Sequence, residues 1–144
     1  MATVFDTAKY ILEKCGTIST WKLQKLCYYS QAWSLAWTGR PLFSEDFEAW
    51  RNGPVCRELF YAHKGMYDVD ASLLPDASSD SLTDDEKDTI NVVLDSYGDK
   101  EPWELRAQTH SEKPWKDMRA GLGDFDKCTN IITKTAMGDY YGSL

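Results

Sequence analysis

The chain has 144 residues, 42% hydrophobic and 27% charged, a length and composition that suit one globular domain with a core of its own. A net charge of −7 argues against a polyanionic partner, since nucleic-acid affinity comes largely from neutralising phosphates. No apolar run approaches the roughly 18 residues of a membrane-crossing helix, and the start, "MATVFDTAKYILEKCG", has no basic segment followed by an apolar block, so a soluble cytoplasmic protein without a signal peptide is expected.

The pattern of apolar residues predicts a mainly α fold: a multi-helix single domain, residues 1–144, around a central hydrophobic helix, with at most a small β-hairpin or extended arm. The first helix runs from about Thr3 to Cys15, with Val4, Ala8, Ile11 and Leu12 on one face and Gly16 as its C-cap. Ser19 or Thr20 caps the second. Its stripe is Leu23, Leu26, Cys27, Ser30, Trp33 and Trp37, its flanks are also apolar, and only Lys22, Lys25 and Gln31 mark a wet face. Gly39 and Pro41 end it. The alternation of Phe47, Ala49 and Arg51 with Glu48, Trp50 and Asn52 predicts a short strand, and Asn52-Gly53 a turn. Pro54 then suits the first turn of a third helix over Val55 to His63.

Residues 68–81, rich in Ser and Asp, read as a surface loop. Thr83-x-x-Glu86 is a capping box for a fourth helix with Ile90, Val93, Leu94 and Tyr97 inward. A fifth helix spans Pro102 to Thr109, a short one Pro114 to about Ala120, and "IITKTAMGDYYGSL" is a last, weaker helix with Met137, Tyr140 and Tyr141 as its contacts.

Motifs of catalysis are absent: no Walker loop, dinucleotide fingerprint, nucleophile elbow or H-E-x-x-H. Cys15, Cys27, Cys56 and Cys128 form no C-x-x-C pair, two histidines do not complete a zinc finger, and the cysteines read as small buried hydrophobes. No metal and no cofactor is expected. "THSEKPW", Thr109 to Trp115, is the one stretch in which a histidine, a carboxylate and a tryptophan meet. Glu112 could hold the His110 imidazole in a small polar site. Alternatively Thr109 or Ser111 caps, His110 satisfies buried backbone, Pro114 starts the next helix and Trp115 packs.

"KLQKLCYYSQAW", "TGRPLFSEDFEAWRNGPVCRELF" and "THSEKPW", in that order and spacing, resemble the SocA-like, Panacea-domain antitoxins, also described as phage-associated GepA-like proteins. The residues that carry the resemblance include Leu23, Gln24, Lys25, Leu26, Gln31, Trp33, Gly53, Pro54, Thr109, His110, Glu112, Pro114 and Trp115. The resemblance implies a helical domain without known catalysis that neutralises a cognate protein toxin by direct binding, or alternatively an adaptor that delivers a toxin to a ClpXP-type protease. Candidate contact residues are Tyr28, Tyr29, Glu48, Trp50, Arg51 and Asn52. Tyr28 and Tyr29 diverge by about 100° on a helix, so either one ring reaches a partner or neighbouring elements of the same chain cover both. An enzyme using His110 and Glu112, and nucleic-acid binding through Lys22, Lys25, Arg40 and Arg51, are the weaker alternatives.

Overall fold

The computed structural model describes residues 1–144. Helix α1 (Val4–Cys15) starts on a reciprocal cap between Thr3 and Asp6 and ends at Gly16 with φ 73°. Strand β1 (Ile18–Ser19) leads into α2 (Thr20–Thr38), capped by the Ser19 hydroxyl and closed by Gly39 in the left-handed conformation. Strands β2 (Phe47–Trp50) and β3 (Gly53–Cys56) form a hairpin and run directly into α3 (Arg57–His63). Strand β4 (Asp68–Val69) pairs antiparallel with β1, and two short 3-10 turns follow. Helices α4 (Asp84–Tyr97), α5 (Pro102–Ser111) and α6 (Lys113–Met118) come next, then strand β5 (Ile131–Ile132) and α7 (Lys134–Gly142). The fold is mainly α.

Helix α2 is the axis. Every residue from Leu23 to Ala32 is buried. Helices α1, α4, α5 and α7 and the hairpin surround it. Helix α7 lies closest: a Cβ on Gly138 would stand 3.5 Å from the Leu35 Cβ, which lets the two backbones approach. Its Tyr141 and Met137 are buried against the α2 core.

Three expectations need correction. Pro54 is not in a helix; it sits in β3, opposite Ala49, and α3 begins only at Arg57. The small sheet has the order β3-β2-β5, so β3 is an edge strand, where a proline without an N–H is tolerated. Ile131 and Ile132 belong to β5 rather than to the last helix, pairing with Glu48 and Phe47. The inward stripe of α2 does not reach Trp37, which is 52% exposed and stacks on half-buried Trp33 at 5.1 Å.

Candidate functional site

The polar residues of α2 are the key to its surroundings. Lys25 and Gln31, expected on a wet face, are each only 1% exposed. Gln31 accepts from the Leu42 N–H at 2.7 Å and donates to the Phe43 carbonyl at 2.8 Å. Two turns earlier, Gln24 does the same to one residue: its Oε1 accepts from Cys56 N–H at 2.9 Å and its Nε2 donates to Cys56 C=O at 3.1 Å. A side-chain amide carries the same donor and acceptor as a peptide group. Each glutamine therefore completes backbone that has no strand beside it, and Gln24 seals the free edge of β3. The same Gln24 Nε2 lies 3.0 Å from His63 Nε2, tying α3 to α2.

Lys25 passes beneath the hairpin turn. Its Nζ donates to the Pro54 carbonyl at 3.2 Å, and none of the molecule's three ion pairs includes it. Gly53 makes room: its φ is +113°, and a Cβ there would lie 2.5 Å from Lys25 Cε and 3.0 Å from Thr109 Oγ1. Burial, with the nearby Arg106 charge, pushes the Lys25 ammonium down to about 7.

The turn is held from the other side by α6. Trp115 Nε1 donates to the Trp50 carbonyl at 2.8 Å, and Arg119 Nη1 to the Ala49 carbonyl at 3.0 Å. The Arg119 guanidinium lies 5.1 Å above the Trp115 ring, and His110 stacks on that ring at 3.8 Å. His110 Nε2 is buried with no hydrogen-bond partner. Burial and the Arg106, Lys25 and Arg119 charges push its imidazole down to about 4, so it is neutral near pH 7. Glu112 does not touch it. The carboxylate turns the other way and accepts Tyr29 O–H at 2.7 Å and Tyr141 O–H at 2.8 Å. Tyr141 O–H also reaches Tyr28 Oη at 3.2 Å. Thus His110 and Glu112 form no acid–base pair, and His110 satisfies no backbone group either; it is a flat, uncharged packing partner for Trp115. Thr109 and Ser111 do not cap α6: their hydroxyls bond back to the carbonyls of Arg106 and Gln108.

The tyrosine question has a structural answer. Tyr28 and Tyr29 are both fully buried, with Tyr29 stacked on Tyr97 at 4.2 Å and Tyr28 edge-on to Phe47. Neighbouring elements of the chain cover both rings, and neither stands near the surface. Burial pushes the Tyr29 and Tyr141 phenols up, which keeps them as donors to Glu112. Burial also raises the Glu112 carboxyl, against the lowering by these two hydrogen bonds.

The other candidate contact residues cluster on the outer side of the hairpin. Glu48 receives both Arg57 Nε (3.0 Å) and Nη2 (2.8 Å), and also Trp50 Nε1 at 2.9 Å. Its burial works to raise its carboxyl, but these donors win and hold it below the usual range. Arg51 is exposed at the turn, and Asn52 meets Arg106 Nε at 3.4 Å. Trp50, Arg51 and Asn52 rim a cavity of about 300 Å³, which is floored by Gln24, Lys25 and His63. Trp21, Phe60 and Met66 also line it. Trp21 and Met66 are exposed, as are Tyr61 and Tyr67 nearby in the chain. Sequence reasoning missed Trp21, His63 and Met66 because they lie on three different segments. The pairing of β1 with β4 brings the segment after α3 beside the start of α2, with Thr20 N–H bonded to Tyr67 C=O at 2.9 Å.

No nucleophile is primed here. Burial pushes the Cys56 thiol up to about 12 and raises Cys27 and Cys15 as well, so the thiolate forms are disfavoured. The Cys56 thiol points to Glu58 Oε1 at 3.9 Å while His63 turns to Gln24, so the two form no pair. No three His, Cys, Asp or Glu side chains come together as a metal site, and no helix is long and apolar enough to cross a membrane.

The model of the antitoxin SocA-like, Panacea domain matches residues 23–116, well over half of the chain. The protein belongs to this antitoxin family. Neither the curated proteins nor the solved structures compared with it contain a match. The matched stretch contains Gln24, Lys25, Gly53, His110, Glu112 and Trp115, the residues just seen to lock hairpin, α5 and α6 onto α2.

Proposed function

We propose that this protein neutralises a cognate toxin by binding it directly, with the hairpin face as the contact surface. The observation that carries this reading is the membership of an antitoxin family over residues 23–116. Geometry supports the choice of face. Arg51 and Asn52 project at a turn that is braced from below by Lys25 and from behind by Trp115 and Arg119. A braced turn loses little freedom on binding, and exposed Trp21, Met66 and Tyr67 supply the aromatic and thioether surface typical of contact hot spots. Tyr28 and Tyr29 contribute by shaping the core beneath, not by contact. The net charge of −7 speeds encounter with a basic toxin. Catalysis plays no part in this reading, since His110 is unpaired with Glu112 and burial disfavours the thiolates of Cys15, Cys27 and Cys56.

The test is co-expression with the product of the adjacent gene. Plain neutralisation predicts a complex of equal stoichiometry and a toxin level that stays constant while toxicity vanishes. Protease-dependent loss of the toxin would instead establish delivery to a ClpXP-type protease, and no complex at all would refute binding.

A further inference from the structure

The cavity under the hairpin has a cationic lining in an acidic chain. The chain carries a net charge of −7, yet no carboxylate lines this cavity. Three cationic side chains do: Lys25, Arg51 and Lys64. Lys25 is 1% exposed and its ammonium spends only one of three donors, on Pro54 C=O. A buried ammonium without a counter-charge is costly, and it is retained most readily where an anion completes it. Gln24 and His63 add polar atoms to the floor, while Trp21, Trp50 and Phe60 supply flat apolar walls. A volume of about 300 Å³ is at the lower end of small-ligand sites.

We propose that this cavity binds a small aromatic acid, its carboxylate received by Lys25 and Arg51 and its ring held against Trp21, Trp50 and Phe60. Charge-assisted hydrogen bonds to an ammonium and a guanidinium give the carboxylate both affinity and orientation. The flat walls select a ring over an alkyl chain. Binding is coupled to a proton. The charged and titratable groups around Lys25 are Arg106 and His110 on α5, His63 on α3, and Arg51 and Lys64 along the cavity. None is acidic. Lys25 is therefore part-deprotonated near neutrality without ligand and takes up a proton when the anion arrives. This inference goes beyond the antitoxin reading, because it needs no toxin and is tested on the purified chain alone.

The experiment follows the indole N–H signals of Trp21 and Trp50 by NMR during titration with benzoate, phenyl phosphate, benzamide and a blocked aspartyl amide, at pH 6.5. The expected result is saturable shifts with benzoate, at least about tenfold weaker binding of neutral benzamide, and a similar loss in Lys25→Met. Lys25→Met keeps the stem and removes a buried charge, so it should fold; Arg51→Gln at the exposed turn is the second variant, with binding weakened at least threefold. Between pH 6.5 and 8.5 benzoate affinity should fall at least threefold in the wild type and stay flat in Lys25→Met. Tighter binding of phenyl phosphate than of benzoate would overturn the carboxylate assignment. The aspartyl amide binding as well as benzoate would assign the cavity to a partner's side chain and overturn the small-acid proposal. No shift with either acid, or equal binding of benzamide, would overturn it outright.

Discussion

A glutamine on a helix is ordinarily a surface residue, yet here Gln24 and Gln31 act as pieces of backbone. Replacing either by leucine keeps the volume and strands a buried N–H and a buried C=O. Each change should destabilise the protein by about 2–4 kcal/mol, read from urea unfolding, with Gln24→Leu also freeing His63. Gly53 is a second residue-scale constraint. Gly53→Ala meets both a positive φ and the Lys25 stem, and should cost about 1–3 kcal/mol. In the double variant with Lys25→Ala the clash with the lysine stem disappears, leaving the conformational part and the 3.0 Å approach to Thr109 Oγ1. A double-mutant cycle should therefore show coupling above about 0.5 kcal/mol; strict additivity would mean that the stem moves aside at no cost.

Lys25 also sets a pH dependence. Its folded-state pKa of about 7 lies below the ordinary lysine value near 10.4, so the unfolded chain binds more protons between these two limits. Stability should rise with pH across that window, the penalty being full below about pH 7 and gone above pH 10.4. Lys25→Met should thus be more stable than the wild type at pH 6.5, by an amount on the order of a few kcal/mol, and the gap should narrow steadily by pH 9.5 in matched urea titrations. A gap that is constant with pH would show that Lys25 stays charged in the folded state.

At the scale of elements, the helix order was largely legible. Ser19 and Thr83 cap where their sequence neighbours say they should, and Gly16 and Gly39 stop α1 and α2. What could not be read was the partner of each polar side chain. Nothing local in "KLQKLCYYSQ" says that Lys25 and Gln31 face inward, because their partners are Pro54, Leu42 and Phe43 in a later segment. Pro54 is open to two readings for a similar reason: a proline after Asn-Gly suits a helix start as well as an edge strand, and only the pairing with β2 decides. The "THSEKPW" stretch was legible as a polar junction, but not its division of labour, in which Glu112 serves two tyrosines and Trp115 serves the hairpin.

That division gives α7 a role beyond the matched family region. It delivers Tyr141 to Glu112 and buries Met137. Truncation after Thr133 would leave Glu112 with one phenol and uncover the Tyr28 and Tyr29 rings. Loss of cooperative unfolding, or a drop of more than about 3 kcal/mol in stability, is the expected outcome by calorimetry or urea titration. Tyr29→Ala should act in the same way, as a core defect rather than a contact defect, so it would be a misleading probe of toxin binding.

At the scale of the whole molecule, an acidic exterior and a cationic cavity coexist. On the proposed reading the exterior governs encounter, and association with a basic toxin should slow as ionic strength rises through about 0.15 M, where the screening length falls to about 8 Å. In the proposed complex the hairpin face governs what stays bound. That role requires the face to be a rigid, preformed surface that covers a partner protein. Calorimetric titration of the purified chain against the adjacent gene product, for the wild type and for Trp21→Ala, Met66→Ala and Tyr67→Ala, tests this most directly. A one-to-one complex, with each variant weakened at least about tenfold at unchanged melting temperature, is the predicted result. Wild-type affinity in all three variants, or the absence of any complex, would contradict it.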